Sequence, residues 1–87
     1  MYELIYSKRF VKQVKKLELS SKERIIHVLE RIRIRPQDYV RKLVGVPYFR
    51  LRVGDFRIIL DIYHNELRIL VLEIGHRRNI YKSINKK

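Results

Sequence analysis

The chain lacks cysteine and tryptophan, and its 87 residues include three glycines and two prolines. The absence of cysteine excludes disulfide bonds and thiolate metal sites, and it fits a reducing compartment. Residues 1–10 lack the long apolar run of a signal peptide. No stretch of the sequence approaches the length of a transmembrane helix. We therefore expect a cytoplasmic protein that does not associate with a membrane.

Acidic residues are also scarce. The chain has 21 lysines and arginines against 9 aspartates and glutamates, which gives a net charge of +12. A polyanion or an acidic partner relieves the self-repulsion of such an excess. Nucleic acid is the first candidate, because contacts to phosphates release counterions; an acidic protein and a membrane surface are alternatives. The acidic residues form no cluster with metal-ligand spacing, so we expect no metal and no cofactor.

The spacing of apolar residues changes from a helical to a twofold period at Pro36. Before it, residues 2–6 form an expected strand, and two apolar stripes predict a helical hairpin. We expect Ser7 to cap the first helix, and Ser20 or Ser21 to cap the second. The stripes are Phe10, Val14 and Leu17 in the first helix, and Ile25, Ile26, Leu29 and Ile32 in the second.

After Pro36, a connection over 36–47 is followed by expected strands at about 47–53, 56–63 and 66–75, joined by hairpins at 54–55 and 64–65. One face, which includes Leu67, Ile69 and Val71, packs against the helices. The predicted fold class is α+β, with an N-terminal strand and a two-helix hairpin packed on an antiparallel β-sheet. We expect one domain over 1–87, with a flexible basic tail at about 83–87.

The uncovered face of this sheet is expected to gather positive charge. A two-residue turn places Arg52 opposite Arg57, and like charges facing each other destabilise a sheet. The pair is tolerated where an anion lies between the heads, and a phosphate matches the arginine fork. The same face is expected to carry exposed Ile59, Leu70 and Leu72, which a bound partner or the C-terminal tail would partly cover. Its full set is Tyr48, Arg50, Arg52, Arg57, Ile59, Asp61, Arg68, Leu70 and Leu72.

The segment YFRLRVGDFRIILDI, followed by LRILVLEIGHRRNIY, resembles the second half of RelE/ParE-superfamily toxins. The motifs R-x-R-x-G-x-x-R and G-H-R-x(3)-Y carry the likeness, and the most similar branch is RelE, the ribosome-dependent mRNA endonucleases. The resemblance implies a fold similar to microbial ribonucleases and cleavage of mRNA in the ribosomal A site. It also implies a cognate RelB-like antitoxin that silences the toxin in a hetero-oligomer, and the ribosome as a partner.

Four residues match catalytic positions of that branch. The resemblance places Arg57 on the scissile phosphate, Arg77 at the transition state and leaving group, and Tyr81 against a base or the nucleophile. Arg50 stands where better-studied members carry lysine. Arginine stays protonated, so Arg50 cannot act as a general base, although it can stabilise charge on the phosphorane. Tyr48 stands where some members carry a second lysine.

A second set of residues is expected to bind RNA. Two of the catalytic candidates have a structural alternative. Arg57 would form an ion pair with Asp55 or Glu73, and Tyr81 would be a packing residue without a role in catalysis. Arg52 and Arg68 have an ion pair with Asp61 as their alternative. His76 is the one candidate for acid–base chemistry among the histidines. The expected RNA-binding residues are Arg52, Arg68, Arg78, Tyr48, His76 and Lys82.

Cleavage by such a site would use the nucleophile that RNA itself carries. Attack of the 2′-OH leaves a 2′,3′-cyclic phosphate or 3′-phosphate and a 5′-OH, and fixed arginines stabilise the charge that develops. Two alternatives remain open. ParE-like members share the fold and poison DNA gyrase by binding, and a non-toxic nucleic-acid-binding module would show the same charge.

Overall fold

The computed structural model describes residues 1–76 of the chain. The expectations for Arg77, Arg78, Tyr81, Lys82 and the tail at 83–87 lie outside the described residues. The elements in chain order are β1 (Glu3–Tyr6), α1 (Lys8–Lys15), α2 (Leu19–Ile32), a 3₁₀ turn (Pro36–Asp38), β2 (Val40–Lys42), β3 (Phe49–Val53), β4 (Phe56–Tyr63) and β5 (Arg68–His76). Neither helix is long and apolar enough to cross a membrane.

The strands form one sheet in the order β1-β5-β4-β3-β2, in which β1 runs parallel to β5 and the other neighbours are antiparallel. The expected register of the β3–β4 hairpin is confirmed, with Arg52 opposite Arg57. Its two-residue turn depends on Gly54, whose φ of 58° suits glycine. Two helices packed on this sheet confirm the α+β fold.

The core lies between the two helices and one face of the sheet. Phe10 of α1 and Ile25, Leu29 and Ile32 of α2 are buried against it, as their helical spacing predicts. Ile26 was expected in the same stripe, but it is 37% exposed because it points to the solvent side of α2. The strand residues of the core are Leu51, Val53, Ile58, Leu60, Ile62, Ile69, Val71 and Ile74.

The observed strands differ from the expected ones in two places, an additional strand and the start of β5. The segment expected to be a connection contains β2, a three-residue strand that is too short to show a period and is fixed by pairing with β3. The turn between β4 and β5 runs over 64–67 and β5 begins at Arg68. Leu67 therefore lies in that turn with a φ of 53°, exposed to solvent and outside the core.

A β-bulge in β5 changes which side chains face the helices. Ile59 pairs with Glu73 and Leu60 pairs with Val71, so Leu72 is the extra residue. Beyond the bulge the alternation shifts by one residue, which places Ile74 in the core and Glu73 on the other face. Regular alternation, which the sequence suggested, would have turned Glu73 toward the helices.

Helix α1 covers the edge of β5 that β1 leaves open. The Ser7 hydroxyl accepts a hydrogen bond from the Phe10 N–H at 3.0 Å, which confirms it as the cap of α1. It also donates to the Leu72 carbonyl at 2.5 Å. Further along, the Ile74 N–H donates to Gln13 Oε1 at 2.8 Å. Ser7 and Gln13 thereby satisfy backbone groups that an exposed edge would present to other chains.

Replacing Ser7 with alanine is expected to lower the free energy of unfolding by about 1–2 kcal/mol, because it removes the cap and leaves the Leu72 carbonyl without this donor. Ser20→Ala is the matched control. Glu18 is the N-cap residue of α2, so Ser20 and Ser21 lie inside its first turn and are not its caps. Ser20→Ala should therefore change stability by less than about 0.5 kcal/mol. Urea denaturation measures both changes in the free energy of unfolding, and equal losses for the two variants would contradict the assignment of Ser7 as the cap of α1.

Candidate nucleic-acid interface

Four arginines lie together on the sheet face that the helices do not cover. Arg41 of β2 pairs with Arg50 of β3, and Arg52 of β3 pairs with Arg57 of β4. Arg50, Arg52 and Arg57 alternate along their strands with side chains that point into the core, and the pairing of Arg41 with Arg50 places Arg41 on the same face. We call Arg41, Arg50, Arg52 and Arg57 the arginine face. Like charges directly opposed across strands, as in the Arg52–Arg57 pair, destabilise a sheet, so an anion beside this pair would stabilise the face.

Arg57 is the most buried member of the arginine face, with 7% of its surface exposed. Its Nη1 donates a long hydrogen bond of 3.4 Å to the Phe56 carbonyl. Within residues 1–76, no ion pair joins it to Asp55 or Glu73, the two alternatives that the sequence offered. A buried cation without an acidic partner in this part of the chain is costly. The arrangement favours an anionic ligand at Arg57.

Glu73 is the acidic residue that the bulge brings to the same face. It stands opposite Ile59, is almost fully buried, and its Oε2 lies 2.9 Å from Arg9 Nε of α1. The ion pair ties α1 to the uncovered side of β5. It also engages the carboxylate that would otherwise be the obvious partner for Arg57.

An apolar cluster borders the arginines on this face. Ile59, expected to be exposed, is only 1% exposed because Leu43, Val46, Tyr48 and Leu72 pack over it. The segment between β2 and β3 folds back over the sheet and is closed by a hydrogen bond from the Leu43 N–H to the Tyr48 carbonyl at 3.0 Å. Tyr48 therefore has a packing role beside the arginines, and its expected contact with RNA stays a prediction.

Arg68 lies at the far end of the same face. It pairs with Tyr63 in the sheet, six residues along β4 from Arg57, which corresponds to about 20 Å of extended strand. Its guanidinium lies 3.6 Å from Glu3 and 3.7 Å from Glu66. The structure does not bring Arg68 to the arginine face, and two carboxylates lie within ion-pair distance of it.

Asp61, the expected partner of Arg52 or Arg68, is engaged elsewhere. It accepts a hydrogen bond of 2.9 Å from the Tyr63 hydroxyl, and this bond raises the pKa of Tyr63. Within residues 1–76, no group of three or more histidines, aspartates and glutamates could hold a metal ion.

His76 lies on the other side of the sheet from the arginine face. It pairs with Phe56, and the ring centroids are 5.0 Å apart. Both rings face α2, where His76 lines a cavity with Ser21 and Arg24. His76 lies on the helix side because the bulge in β5 shifts the alternation of side chains by one residue. Contact between His76 and RNA stays a prediction, and any such contact would be on the helix side.

A comparison of the chain with sequence profiles of known families identifies its family. The profile described as the ParE toxin of type II toxin–antitoxin systems, parDE, matches residues 4–81. This chain belongs to the RelE/ParE superfamily of toxins. It is therefore a toxin of a type II toxin–antitoxin system. No curated protein matches the chain in sequence.

Several RelE toxins of known structure have the same fold. The RelE–RelB complex from Pyrococcus horikoshii OT3 matches with a TM-score of 0.77 and 24% identity, over 90% of this chain and 97% of that one. The RelBE2 complex from Mycobacterium tuberculosis gives 0.81 at 16% identity, over 87% and 98%. The isolated RelE toxin from E. coli gives 0.74 at 20% identity, over 99% and 97%. At these identities the likeness establishes the fold of the toxin.

Sequence reasoning missed one member of the toxin's arginine face. The sequence predicts that Arg41 lies in a connection, because a strand of three residues shows no readable alternation. A further pair of expected catalytic residues, Arg77 and Tyr81, lies outside the described residues. The last described residue, His76, pairs with Phe56 at the same end of the sheet as Arg57. The roles of Arg77 and Tyr81 stay predictions.

Proposed function

We propose that this toxin is a ribosome-dependent endoribonuclease that cleaves mRNA in the A site. The observation that supports the proposal most is the arginine face, where Arg57 is buried without an acidic partner in residues 1–76. Arg57 is the position that resembles the phosphate-contacting arginine of the RelE branch. A dianionic phosphorane is the kind of charge that such a face stabilises.

The proposed reaction requires alignment and charge stabilisation more than it requires reactive side chains. The 2′-OH loses its proton and attacks the adjacent phosphorus, the bond from phosphorus to the 5′-oxygen breaks, and that oxygen takes up a proton, so a 2′,3′-cyclic phosphate and a 5′-OH remain. Arg57 and Arg50 stabilise the nonbridging oxygens, Arg77 assists the leaving oxygen, and Tyr81 stacks on a base or helps to activate the nucleophile. The ribosome holds the message in line, which supplies the proximity that a small enzyme lacks.

We further propose a RelB-like antitoxin as the partner in a toxin–antitoxin hetero-oligomer. Support comes from the solved relatives, several of which are RelE–RelB complexes. The net charge of +12 favours an acidic or amphipathic partner that binds as a helix or extended segment.

A second candidate function is inhibition of DNA gyrase by binding. The observation that favours it is the family profile, whose description names ParE. Primer extension on translated mRNA after expression of the toxin separates the two functions. Cuts at in-frame positions support the endoribonuclease, whereas intact mRNA together with trapped gyrase–DNA breaks supports the gyrase inhibitor.

The affinity of the toxin for single-stranded RNA is expected to fall as the salt concentration rises. Arg52→Ala should reduce the magnitude of the slope of log K against log [salt] by about 0.7, which is the contribution of one phosphate contact on a single strand. Arg52 is exposed on the arginine face, so its loss should leave the fold intact. Arg31→Ala is the matched control, because it removes the same charge from the exposed side of α2. Fluorescence anisotropy at several salt concentrations measures the slopes. Equal slopes for the two variants would contradict the placement of RNA on this face.

A further inference from the structure

A cavity of about 390 Å³ lies on the helix side of the sheet, between the first half of α2 and the β3–β4 turn. Its size falls in the range of small-ligand sites. Ile25 and Val53, both buried, contribute its apolar lining. Its polar and aromatic lining includes Arg24, Asp55, Phe56 and His76.

Arg24 gives the cavity a cation at its mouth. A Cβ atom on Gly54 would lie 3.1 Å from Arg24 Nη1, so the glycine lets the guanidinium rest on the backbone of the turn. Within residues 1–76, no ion pair joins Arg24 to Asp55 across the cavity. The fork of a guanidinium placed in this way suits a phosphate group.

The opposite lining suits a flat ring. Phe56 and His76 lie with their ring centroids 5.0 Å apart and their planes at 33°, and nucleobases stack on such aromatic surfaces. Asp55 adds a carboxylate that repels a bare anion but accepts hydrogen bonds from the N–H groups of a base. The lining therefore fits a nucleotide better than inorganic phosphate.

We propose that this cavity binds one nucleotide, with its base against Phe56 and His76 and its phosphate on Arg24. The cavity lies on the opposite side of the hairpin from Arg52 and Arg57, whose neighbours Val53 and Phe56 line it. An RNA chain that passes around the Gly54–Asp55 turn reaches both sites. This RNA source of the nucleotide rests on the proposed function, whereas binding of a free nucleotide does not.

Titration of the full, isotopically labelled chain with cytidine 5′-monophosphate, followed by NMR, tests the site. We expect chemical-shift changes centred on Gly54, Phe56 and His76. Arg24→Ala should weaken binding at least fivefold, and Arg31→Ala, the charge-matched change on the same helix, less than twofold. Inorganic phosphate should bind more weakly than the nucleotide. Shifts confined to the arginine face, equal effects of the two variants, or equal binding of phosphate would each overturn the proposal.

A second arm distinguishes the source of the nucleotide. Binding of a trinucleotide RNA that is at least fivefold tighter than that of the mononucleotide, and sensitive to Arg24→Ala, supports an RNA chain in the cavity. Equal affinities that are sensitive to Arg24→Ala support a free nucleotide. Neither titration depends on RNA cleavage. If the toxin does not cleave mRNA on ribosomes, the titrations still show whether the cavity binds a nucleotide.

Discussion

Replacing Arg57 with alanine is expected to lower the rate of A-site mRNA cleavage by about a hundredfold or more. The side chain is buried on the arginine face opposite Arg52, and within residues 1–76 it has no acidic partner. Its removal takes away the guanidinium that would contact the scissile phosphate. The rate is measured with programmed ribosomes under single-turnover conditions, and Arg77→Ala is expected to cause a loss of similar size.

Two further variants separate a chemical role of Arg57 from a structural one. Arg57→Lys keeps the charge but loses the planar fork, so it should restore only part of the rate. Arg31→Ala removes one charge from α2 and should leave the rate within twofold of the parent. Thermal melts followed by circular dichroism identify any variant that is poorly folded. Cleavage by a folded Arg57→Ala protein at a rate within fivefold of the parent would contradict the assignment.

Replacing Phe10 with alanine is expected to lower the free energy of unfolding by about 3–5 kcal/mol. Phe10 is 1% exposed and is the buried residue of α1, which packs along β5. The change loses the apolar contact and leaves a cavity that the surrounding side chains fill only in part. Because small domains are stable by only about 5–15 kcal/mol, much of the protein's stability would be lost.

Val11→Ala is the matched control for Phe10→Ala. Val11 is the next residue of α1 and faces solvent, so its truncation should change stability by less than about 0.5 kcal/mol. Urea denaturation followed by circular dichroism gives both values. A loss below about 1 kcal/mol for Phe10→Ala would contradict the packing of α1 against the sheet through Phe10.

The sequence is sufficient to predict those parts of the fold that depend on residues close together in the chain. A glycine-containing two-residue turn sets the register of the β3–β4 hairpin, and the register places Arg52 opposite Arg57. The helical stripes identify Phe10, Leu29 and Ile32 as core residues. These signals come from residues close together in the chain, so no knowledge of the rest of the fold is needed.

Other features depend on contacts between distant segments. The bulge at Leu72 arises from the pairing of β5 with β4, and it turns Glu73 to the uncovered face and His76 to the helix side. The burial of Ile59 depends on how the segment before β3 folds back. Arg41 joins the arginine face only through the pairing of β2 with β3. Alternation counted along one strand cannot show any of these contacts.

The most direct test of the central claim is a cryo-EM structure of the toxin on a programmed ribosome, with a 2′-deoxy substitution at the cleavage position to block attack. We expect the intact phosphate link to lie on the arginine face, within hydrogen-bonding distance of Arg57. Messenger RNA bound across α1 and α2, with the arginine face turned away from the A site, would contradict the account.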